Sequence, residues 1–463
     1  MIADLKPYAE YKESGLAWLG HVPAMWSIGR IKTVLRELDC RSMDGDGTLL
    51  SLTRVRGLIP HAERTDKTHS AKTLVGYKRY KPGQIVMNRM QAWSGMFGAG
   101  TTMGLVSPDY AVFAIVGGHQ TKLLLERLKT PDIVGQFALE SKGIGSGFNR
   151  LYTDKFGSIP VALPSLPEQV AIVRFLDWAN GRLERAIRAK RKVIALLGEQ
   201  KQAIIHRAVT RGLDPSVPLK PSGIPWLGDI PQHWEVRRVK QATRILRGKF
   251  SHRPRNDASL YDGPYPFIQT GVVAQASKFI MSYSQTLNEK GLAISKLFPS
   301  GTLVMTIAAN IGEVAVLTFD ACFPDSIVGF VTQASADRDY LYMVFVCMKP
   351  ELLREAPVNT QGNLNVERIG AMGMPCPPLG EQGNIAKHAE QETAAFDTAI
   401  SRREREIELL REYRTRLVAD VVTGKLDVRE AALRLPDEAP PETVEDDADL
   451  NTDPDAVDEE AAP

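Results

Sequence analysis

The chain has 463 residues, of which 43% are hydrophobic and 24% charged, so it is long enough for two to four packed domains and reads as globular. Its longest apolar stretch, Tyr340 to Met348, is far shorter than a membrane span, and its four cysteines form no Cys-x-x-Cys pair, which argues against a zinc ribbon or a disulfide framework. The first eleven residues contain no apolar run typical of a secretory signal, so a cytoplasmic location is expected. Residues 1–435 hold 57 basic and 43 acidic residues, whereas residues 436–463 hold twelve acidic and no basic ones, so the body favours a polyanionic partner.

A segment near the start of the chain recurs, with substitutions, in its second half. Residues 14–32 read SGLAWLGHVPAMWSIGRIK and residues 222–240 read SGIPWLGDIPQHWEVRRVK, with nine of nineteen positions identical at a constant offset of 208. A repeat of this quality indicates two halves with one plan. We assign residues 1–165 to this framework segment and a first α+β domain.

Short apolar runs punctuated by Gly, Pro and Asn predict strands in that domain. The predicted strands are Gln84–Asn88, Leu105–Ser107 and Tyr110–Val116. This pattern is typical of a compact α+β domain.

A first long helix is predicted over residues 166–214. It opens with Pro164-Ser-Leu-Pro-Glu168-Gln169, contains no proline from Glu168 to Asp214, and meets a stop signal at Gly212. Ser165 and Glu168 have the spacing of a capping box. Apolar residues spaced by three and four predict one buried stripe. The stripe residues are Ile172, Leu183, Ile187, Ile194, Leu197 and Ile204.

The second half repeats this order. Residues 215–378 are predicted to form a linker and a second α+β domain, with strands at 302–307, 314–319 and 327–331; Gly301-Thr-Leu-Val-Met305 weakly echoes Gly83-Gln-Ile-Val-Met87. Residues 377–382 (PPLGEQ) match 164–169 at an offset of 213 and open a second long helix over 379–428. Its stripe residues are Ile385, Phe396, Ile400, Ile407, Leu410 and Leu417. The acidic tail, 429–463, is predicted to be disordered.

The two stripes, together called the seam, predict that the long helices pair with each other as a coiled coil. The alternative is that each helix only closes its own domain. A helix of some 40 residues would be about 60 Å long, which suits a spacer.

The phrases SGIPWLGDIPQHW (222–234), PSLPEQ (164–169) and TGKLD (423–427), duplicated in this order around dissimilar interiors, resemble the DNA specificity subunit of type I restriction-modification systems. The resemblance covers residues 8–430. It implies an α+β fold class: two α+β target recognition domains separated by two long antiparallel helices, with an internal pseudo-two-fold repeat.

The same resemblance implies a non-catalytic subunit that reads a bipartite DNA target. Two modification (methyltransferase) subunits would dock on the helices, and two restriction (motor-nuclease) subunits would complete the complex. S-adenosylmethionine, ATP and Mg are then expected on those partners, with no cofactor or metal on this chain and no membrane partner.

The sequence also lacks complete catalytic motifs. Pro375-Cys-Pro-Pro378 lacks the Asn or Asp and the aromatic residue of a methyltransferase motif, and Gly248-Lys249 lacks the rest of a phosphate loop. Asp132 with Glu140 and Lys142 weakly suggests a nuclease site, but that stretch is better interpreted as a helix end. We therefore predict no catalytic residue.

DNA contacts are expected from basic, amide and aromatic side chains in loops that follow strands. The candidates in the first domain are Arg54, Arg56, Arg89, Gln91 and Trp93; those in the second are Lys249, His252, Arg253, Arg255, Gln269, Thr270 and Asn310. Each of them could instead be ordinary solvated surface. Two other functions fit the sequence: a helical scaffold that does not bind DNA, and a stand-alone DNA-binding subunit of another methylation or defence system.

Overall fold

The computed structural model of the chain describes residues 5–64, 73–143, 149–251, 257–308, 310–355 and 364–436. These residues form two compact units. The described residues of unit 1 lie within 1–191 and 405–463, and those of unit 2 lie within 192–404. Both boundaries fall inside the long helices, so each unit combines one α+β domain with part of each helix.

The first half of the chain alternates short strands with short helices before its long helix. Its strands are β1 (Tyr11–Glu13), β2 (His21–Pro23), β3 (Ser27–Arg30), β4 (Leu35–Leu38), β5 (Leu50–Thr53), β6 (Gly57–Pro60), β7 (Lys78–Tyr80), β8 (Ile85–Asn88), β9 (Phe97–Gly98), β10 (Gly104–Val106), β11 (Tyr110–Ile115), β12 (Lys142–Gly143), β13 (Asn149–Arg150) and β14 (Pro160–Leu163). Its helices are α1 (Ile31–Val34), α2 (Thr121–Leu128), α3 (Pro131–Glu140), α4 (Thr153–Ser158) and α5 (Leu166–Arg211).

The second half follows the same order and ends in two helices. Its strands are β15 (Leu219–Pro221), β16 (Asp229–Pro231), β17 (Glu235–Arg238), β18 (Thr243–Arg247), β19 (Tyr261–Phe267), β20 (Phe279–Ile280), β21 (Gln285–Leu287), β22 (Leu297–Phe298), β23 (Leu303–Thr306), β24 (Val314–Leu317), β25 (Ala321–Cys322), β26 (Ile327–Thr332) and β27 (Gly373–Cys376). Its helices are α6 (Val239–Ala242), α7 (Thr270–Gln275), α8 (Glu289–Ala293), α9 (Arg338–Glu355), α10 (Val366–Ala371), α11 (Leu379–Val422) and α12 (Arg429–Leu433).

The domain of unit 1 is built on an antiparallel sheet with strand order β4-β11-β8-β9. The framework strand β3 pairs antiparallel with β14, the strand that leads into α5, from Ser27 opposite Leu163 to Arg30 opposite Pro160. A core that includes Phe97, Phe137 and Phe156 lies against this sheet and continues onto α5 through Phe175. The repeated framework therefore closes the domain beside its helix.

Unit 2 has the corresponding arrangement with one larger sheet. Strands β18-β26-β23-β24 follow the order of β4-β11-β8-β9, and β20 is added in parallel to β24. The framework strand β17 pairs antiparallel with β27. The sequence echo between 83–87 and 301–305 falls on β8 and β23, which hold equivalent places. A second sheet, β21-β19-β25-β22, has no counterpart of this size in the described part of unit 1.

The predicted α+β fold with two long helices is confirmed. The helices are slightly shorter at their ends than predicted, because Gly212 and Gly424 adopt left-handed φ values of +70° and +79° at or near the last turn. In unit 1, Glu184 pairs with Arg414 at 3.2 Å and Lys190 with Glu406 at 2.5 Å, so partner numbers fall as residue numbers rise. The two helices are antiparallel there, and Lys201 with Asp397 at 2.5 Å continues the same register in unit 2.

The seam residues are all buried or half-buried. Ile172, Leu183, Ile187, Ile385, Ile407 and Leu417 are buried, and Ile194, Leu197, Ile204, Phe396, Ile400 and Leu410 are half-buried. Ile172 and Ile385 pack into the cores of their α+β domains, so the first turns of each helix serve the domain. Each helix therefore packs on its own domain at its first turns and pairs with the other helix farther along.

Two local expectations need correction. Glu168 does not cap α5 in a box with Ser165, because its carboxylate accepts hydrogen bonds from other side chains instead. The segment predicted to be disordered from residue 429 begins with a folded helix, α12, whose Ala432 and the following Leu435 are buried in the core of unit 1. Residues 437–463 lie outside the described residues.

Candidate nucleic-acid interface

In unit 1 the framework joint is built around Glu168, the third residue of α5. Its Oε1 accepts hydrogen bonds from Nε1 of Trp26 at 3.0 Å and from the hydroxyl of Tyr8 at 2.7 Å. Glu168 is only 5% exposed, and a buried carboxylate is costly unless donors surround it. Burial, then the hydrogen bond to Glu168, raises the pKa of Tyr8 far above its ordinary value, so the phenol remains a donor.

Gln169 extends the joint to the domain. Its Nε2 donates to the carbonyl of Pro164 at 2.9 Å, and its Oε1 accepts from the backbone N–H of Gln120 at 3.0 Å. Because Gln120 is the residue before α2, this side chain ties α2 to the start of α5.

Unit 2 repeats the tryptophan–glutamate and glutamine bonds of this joint, with His233 at 2.9 Å from Oε2 of Glu381 where unit 1 has Tyr8 on Glu168. Nε1 of Trp234 donates to Oε1 of Glu381 at 3.0 Å. Nε2 of Gln382 donates to the carbonyl of Pro377 at 2.9 Å, while its Oε1 accepts from the backbone N–H of Asp337 at 2.8 Å. The repeated motifs thus form the joint between domain and helix, so the residues that differ between the halves are the better candidates for reading DNA.

In unit 1 the structure gathers one basic and aromatic surface. Arg54 at the tip of the β5–β6 hairpin donates from Nη1 and Nη2 to the carbonyl and hydroxyl of Ser94, at 3.0 and 3.1 Å. The neighbouring Trp93 is 41% exposed. Lys129, at the end of α2, is half-buried; burial lowers its pKa, the charge of Glu126 raises it, and the charge of Arg54 lowers it. We call Arg54, Trp93 and Lys129 the Arg54 patch.

Lys129 was not a candidate from the sequence. It stands alone at a helix end, with no basic run or aromatic neighbour to mark it. Only folding brings it near Arg54. The remaining hairpin candidate, Arg56, pairs with Glu63 at 2.5 Å, and both side chains are about half exposed.

Arg89 and Gln91 occupy less accessible places than the sequence suggested. Arg89 forms an ion pair with Glu37 and is 17% exposed. Glu37 also lies 3.7 Å from the ammonium of Lys78, whose side chain is 2% exposed, so Arg89 belongs to an ion network between strands. Oε1 of Gln91 accepts from Nδ2 of Asn88 at 2.9 Å. Glu37 therefore holds Arg89 against β4, while Asn88 holds Gln91 within the loop that follows β8.

In unit 2, Lys249 is exposed beside a turn that requires glycine. A Cβ on Gly248 would lie 2.2 Å from the carbonyl oxygen of Pro324, and Nε of Arg247 donates to the carbonyl of Asp325 at 2.8 Å. The chain of β18 is thereby held closely against residues 323–325. His252, Arg253 and Arg255 lie outside the described residues.

The other candidates of unit 2 are at loop and helix ends. Gln269 is exposed, and its Nε2 donates to Oε1 of Gln285. Gln285 was not a candidate from the sequence, because it lies 16 residues from Gln269. Strand pairing of β19 with β21 brings the two together. Thr270 is half-buried as the first residue of α7, and Asn310 is exposed. Paired amides are groups that can hydrogen-bond base edges.

The described residues hold no sign of a metal centre. Within those ranges, no three His, Cys, Asp or Glu side chains gather in a way that could hold a metal ion. Asp132, considered above as a nuclease carboxylate, is instead engaged by both terminal nitrogens of Arg127 at 2.9 and 2.8 Å. In the same part of the chain no helix combines the length and apolar character needed to cross a bilayer.

Comparison with known proteins finds related sequences. The family described as type I restriction modification DNA specificity domain matches residues 231–409. The MjaVIII type I restriction enzyme specificity subunit of Methanocaldococcus jannaschii is 23% identical over 63% of this chain and 68% of its own length. A second specificity subunit, named for the MjaX enzyme of that organism, is 22% identical over 58% of this chain, and the match spans 60% of that relative.

A solved structure agrees in fold. It comes from work on complex assembly and conformational transition of the type I R-M system, with a TM-score of 0.56 and 15% identity, and covers 88% of this chain and 99% of the other. At this identity the likeness shows the fold alone. The sequence matches and the duplicated joints together show that the chain is similar to the DNA specificity subunits of type I restriction-modification systems.

Proposed function

We propose that this chain reads a bipartite DNA target, one half-site through each α+β domain, and carries methyltransferase subunits to it. The observation that supports this most is the repeated joint, Trp26 with Glu168 and Trp234 with Glu381. Two domains fastened to their helices in the same way, but with different surfaces, suit the reading of two different half-sites.

The charge of the chain agrees with a nucleic-acid partner. The excess of basic residues lies in residues 1–435, and the Arg54 patch combines two cations with an exposed indole. Cations neutralise phosphates, and an exposed aromatic ring can pack on sugar or base. In the second domain Lys249 with the amides of Gln269 and Gln285 has the same mixture of groups.

Partner subunits are proposed to dock on the exposed faces of the long helices, because the seam residues are occupied in packing. Exposed large apolar side chains lie on both helices: Val170, Val193 and Leu196 on α5, Leu379, Leu409 and Tyr413 on α11. We expect two modification subunits and, in the restriction complex, two motor-nuclease subunits, all in the cytoplasm. S-adenosylmethionine, ATP and Mg would be bound by those partners.

The proposal predicts that the chain alone neither methylates nor cleaves DNA. A methylation map of the host genome, made with and without this gene, tests the function directly. We expect one bipartite motif with a fixed gap to lose its methylation when the gene is deleted. An unchanged map, or duplex binding by the complex that does not weaken as salt rises, would contradict a DNA-reading role.

A further inference from the structure

The two long helices carry an acidic residue at the same repeated position, and each one meets a lysine of its own domain. Asp177 on α5 and Glu390 on α11 are equivalent at the offset of 213 that relates the helices. Asp177 forms an ion pair with Lys122 in unit 1, and Glu390 forms one with Lys278 in unit 2. Both pairs join the domain to its helix.

The two lysines are not equivalents of each other. Lys122 is the second residue of α2, directly after the strand β11. Lys278 directly precedes β20, which is the last strand in the order of its sheet. The counterpart of β11 in that sheet is β26, which comes much later in the chain. The same acidic position is therefore engaged from two unrelated places in the two domains. Descent from a common repeat explains the shared acidic position but does not explain why two non-equivalent lysines pair with it. A shared role in holding the domain on the helix explains both.

The environment of Lys278 suits a fixed attachment. The side chain is 16% exposed, and its ammonium lies 3.0 Å from Oδ1 of Asp339. The ammonium also lies over the rings of Phe279 and Tyr342, at 5.1 and 5.5 Å from the ring centres. Tyr342 in turn donates its hydroxyl to the carbonyl of Ser277 at 2.8 Å. The domain thus holds the lysine from several sides, which lowers the entropy lost when it pairs with Glu390.

The ion pair adds a second point of attachment to the one at the framework joint. Glu381 and Gln382 bind the domain at the start of α11, and Glu390 lies nine residues beyond Glu381, about 13 Å along the helix axis. Ile385 and Ala389 already pack in the core of the domain along this part of α11, and the ion pair adds a directional polar restraint at the edge of that contact. In unit 1, Glu168 and Asp177 have the same separation.

We propose that Asp177 and Glu390 are positioning residues. By pairing with Lys122 and Lys278 they fix the angle at which each recognition domain is held on its helix. That angle sets how each domain aligns with its half-site. This inference rests on the proposed function. The two acidic side chains are similarly exposed, at 49% for Glu390 and 44% for Asp177, but Lys278 is 16% exposed and Lys122 is 41% exposed, so the pair at Glu390 is the less screened of the two.

The test uses Glu390→Gln in the full chain, assembled with its methyltransferase partner. Its matched control is Glu392→Gln, the same change at an exposed position two residues later on α11. Affinity is measured for a labelled duplex with the whole methylated motif and for two duplexes with one half-site each. We expect Glu390→Gln to weaken binding to the whole motif by about three- to tenfold and to leave both half-site affinities unchanged, because a loosened joint lowers the effective concentration of the second domain.

A conservative variant sharpens the test. Glu390→Asp, which copies the residue found at position 177, should restore most of the affinity for the whole motif. Equal binding by Glu390→Gln and Glu392→Gln would overturn the proposal, and so would an equal loss on half-site and whole-motif duplexes, since that would indicate local damage to the domain. If the unaltered complex prefers none of these duplexes over an unrelated one, the proposed function itself fails.

Discussion

Nε1 of Trp234 donates a hydrogen bond of 3.0 Å to Oε1 of Glu381, across 147 residues of sequence, and Trp26 makes the same bond to Glu168 across 142 residues. The two most recognisable repeats of the chain therefore meet in space within each unit. Each tryptophan comes from the framework segment before a domain, and each glutamate from the helix after it. The pair closes the domain from both ends.

Replacing Trp234 by Phe should lower the free energy of unfolding by about 1–3 kcal/mol, because Glu381 loses a donor and the smaller ring leaves space. Urea unfolding of the full chain measures the change. Trp93→Phe is the control: that ring is 41% exposed and its Nε1 bond to the carbonyl of Met90 lies at the surface, so its stability effect should stay within about 0.5 kcal/mol. Equal effects of the two changes would show that the indole bond adds nothing.

Gly424→Ala should destabilise unit 1 by about 1–2 kcal/mol. The residue has φ +79°, which L-residues adopt at a cost, and an added Cβ would lie 2.6 Å from Cδ of Pro23. Gly198→Ala is a matched control inside α5, where nothing lies within 4 Å of the added atom. Because alanine favours helices, that change should raise stability by about 1 kcal/mol. The opposite signs can be read from thermal unfolding midpoints, and a shared sign would refute the reasoning.

Two truncations test where the folded body ends. A chain that stops after Pro436 should keep its stability, while one that stops after Val428 should lose about 2–4 kcal/mol, because it removes the buried Ala432 and Leu435. The shorter chain also removes the carbonyls of Leu435 and Pro436 that accept from Arg174 at 3.1 and 3.3 Å. Chemical unfolding of both chains measures the difference. Equal stabilities would mean that α12 packs without stabilising unit 1.

Arg54→Ala should weaken duplex binding by the assembled complex and reduce the slope of log affinity against log salt by about 1, as expected for one lost phosphate contact. Arg79→Ala serves as the control, since Arg79 is similarly exposed but pairs with Asp44 at 3.2 Å. Fluorescence anisotropy at several salt concentrations provides both quantities. A salt slope that Arg54→Ala leaves unchanged would remove the Arg54 patch from the interface.

Features set by local sequence could be predicted. Both long helices follow from the absence of proline and the spacing of apolar residues, and their ends follow from Gly212 and Gly424. The strands predicted at 84–88, 110–116, 302–307 and 327–331 follow from short apolar runs between turn residues. The antiparallel pairing came instead from the family resemblance, and ion pairs such as Glu184 with Arg414 confirm it.

Tertiary structure decided which side chains meet across long stretches of chain. The sequence marked Glu168 as a helix cap, yet its partners are Tyr8 and Trp26, and it marked Arg89 as a surface group, yet Glu37 holds it between strands. Lys129 and Gln285 carried no local signal, since strand pairing and helix packing alone bring them to Arg54 and Gln269. The physical reason is that propensity and periodicity act over a few residues, whereas a hydrogen bond or ion pair between distant residues exists only once the backbone has placed both groups.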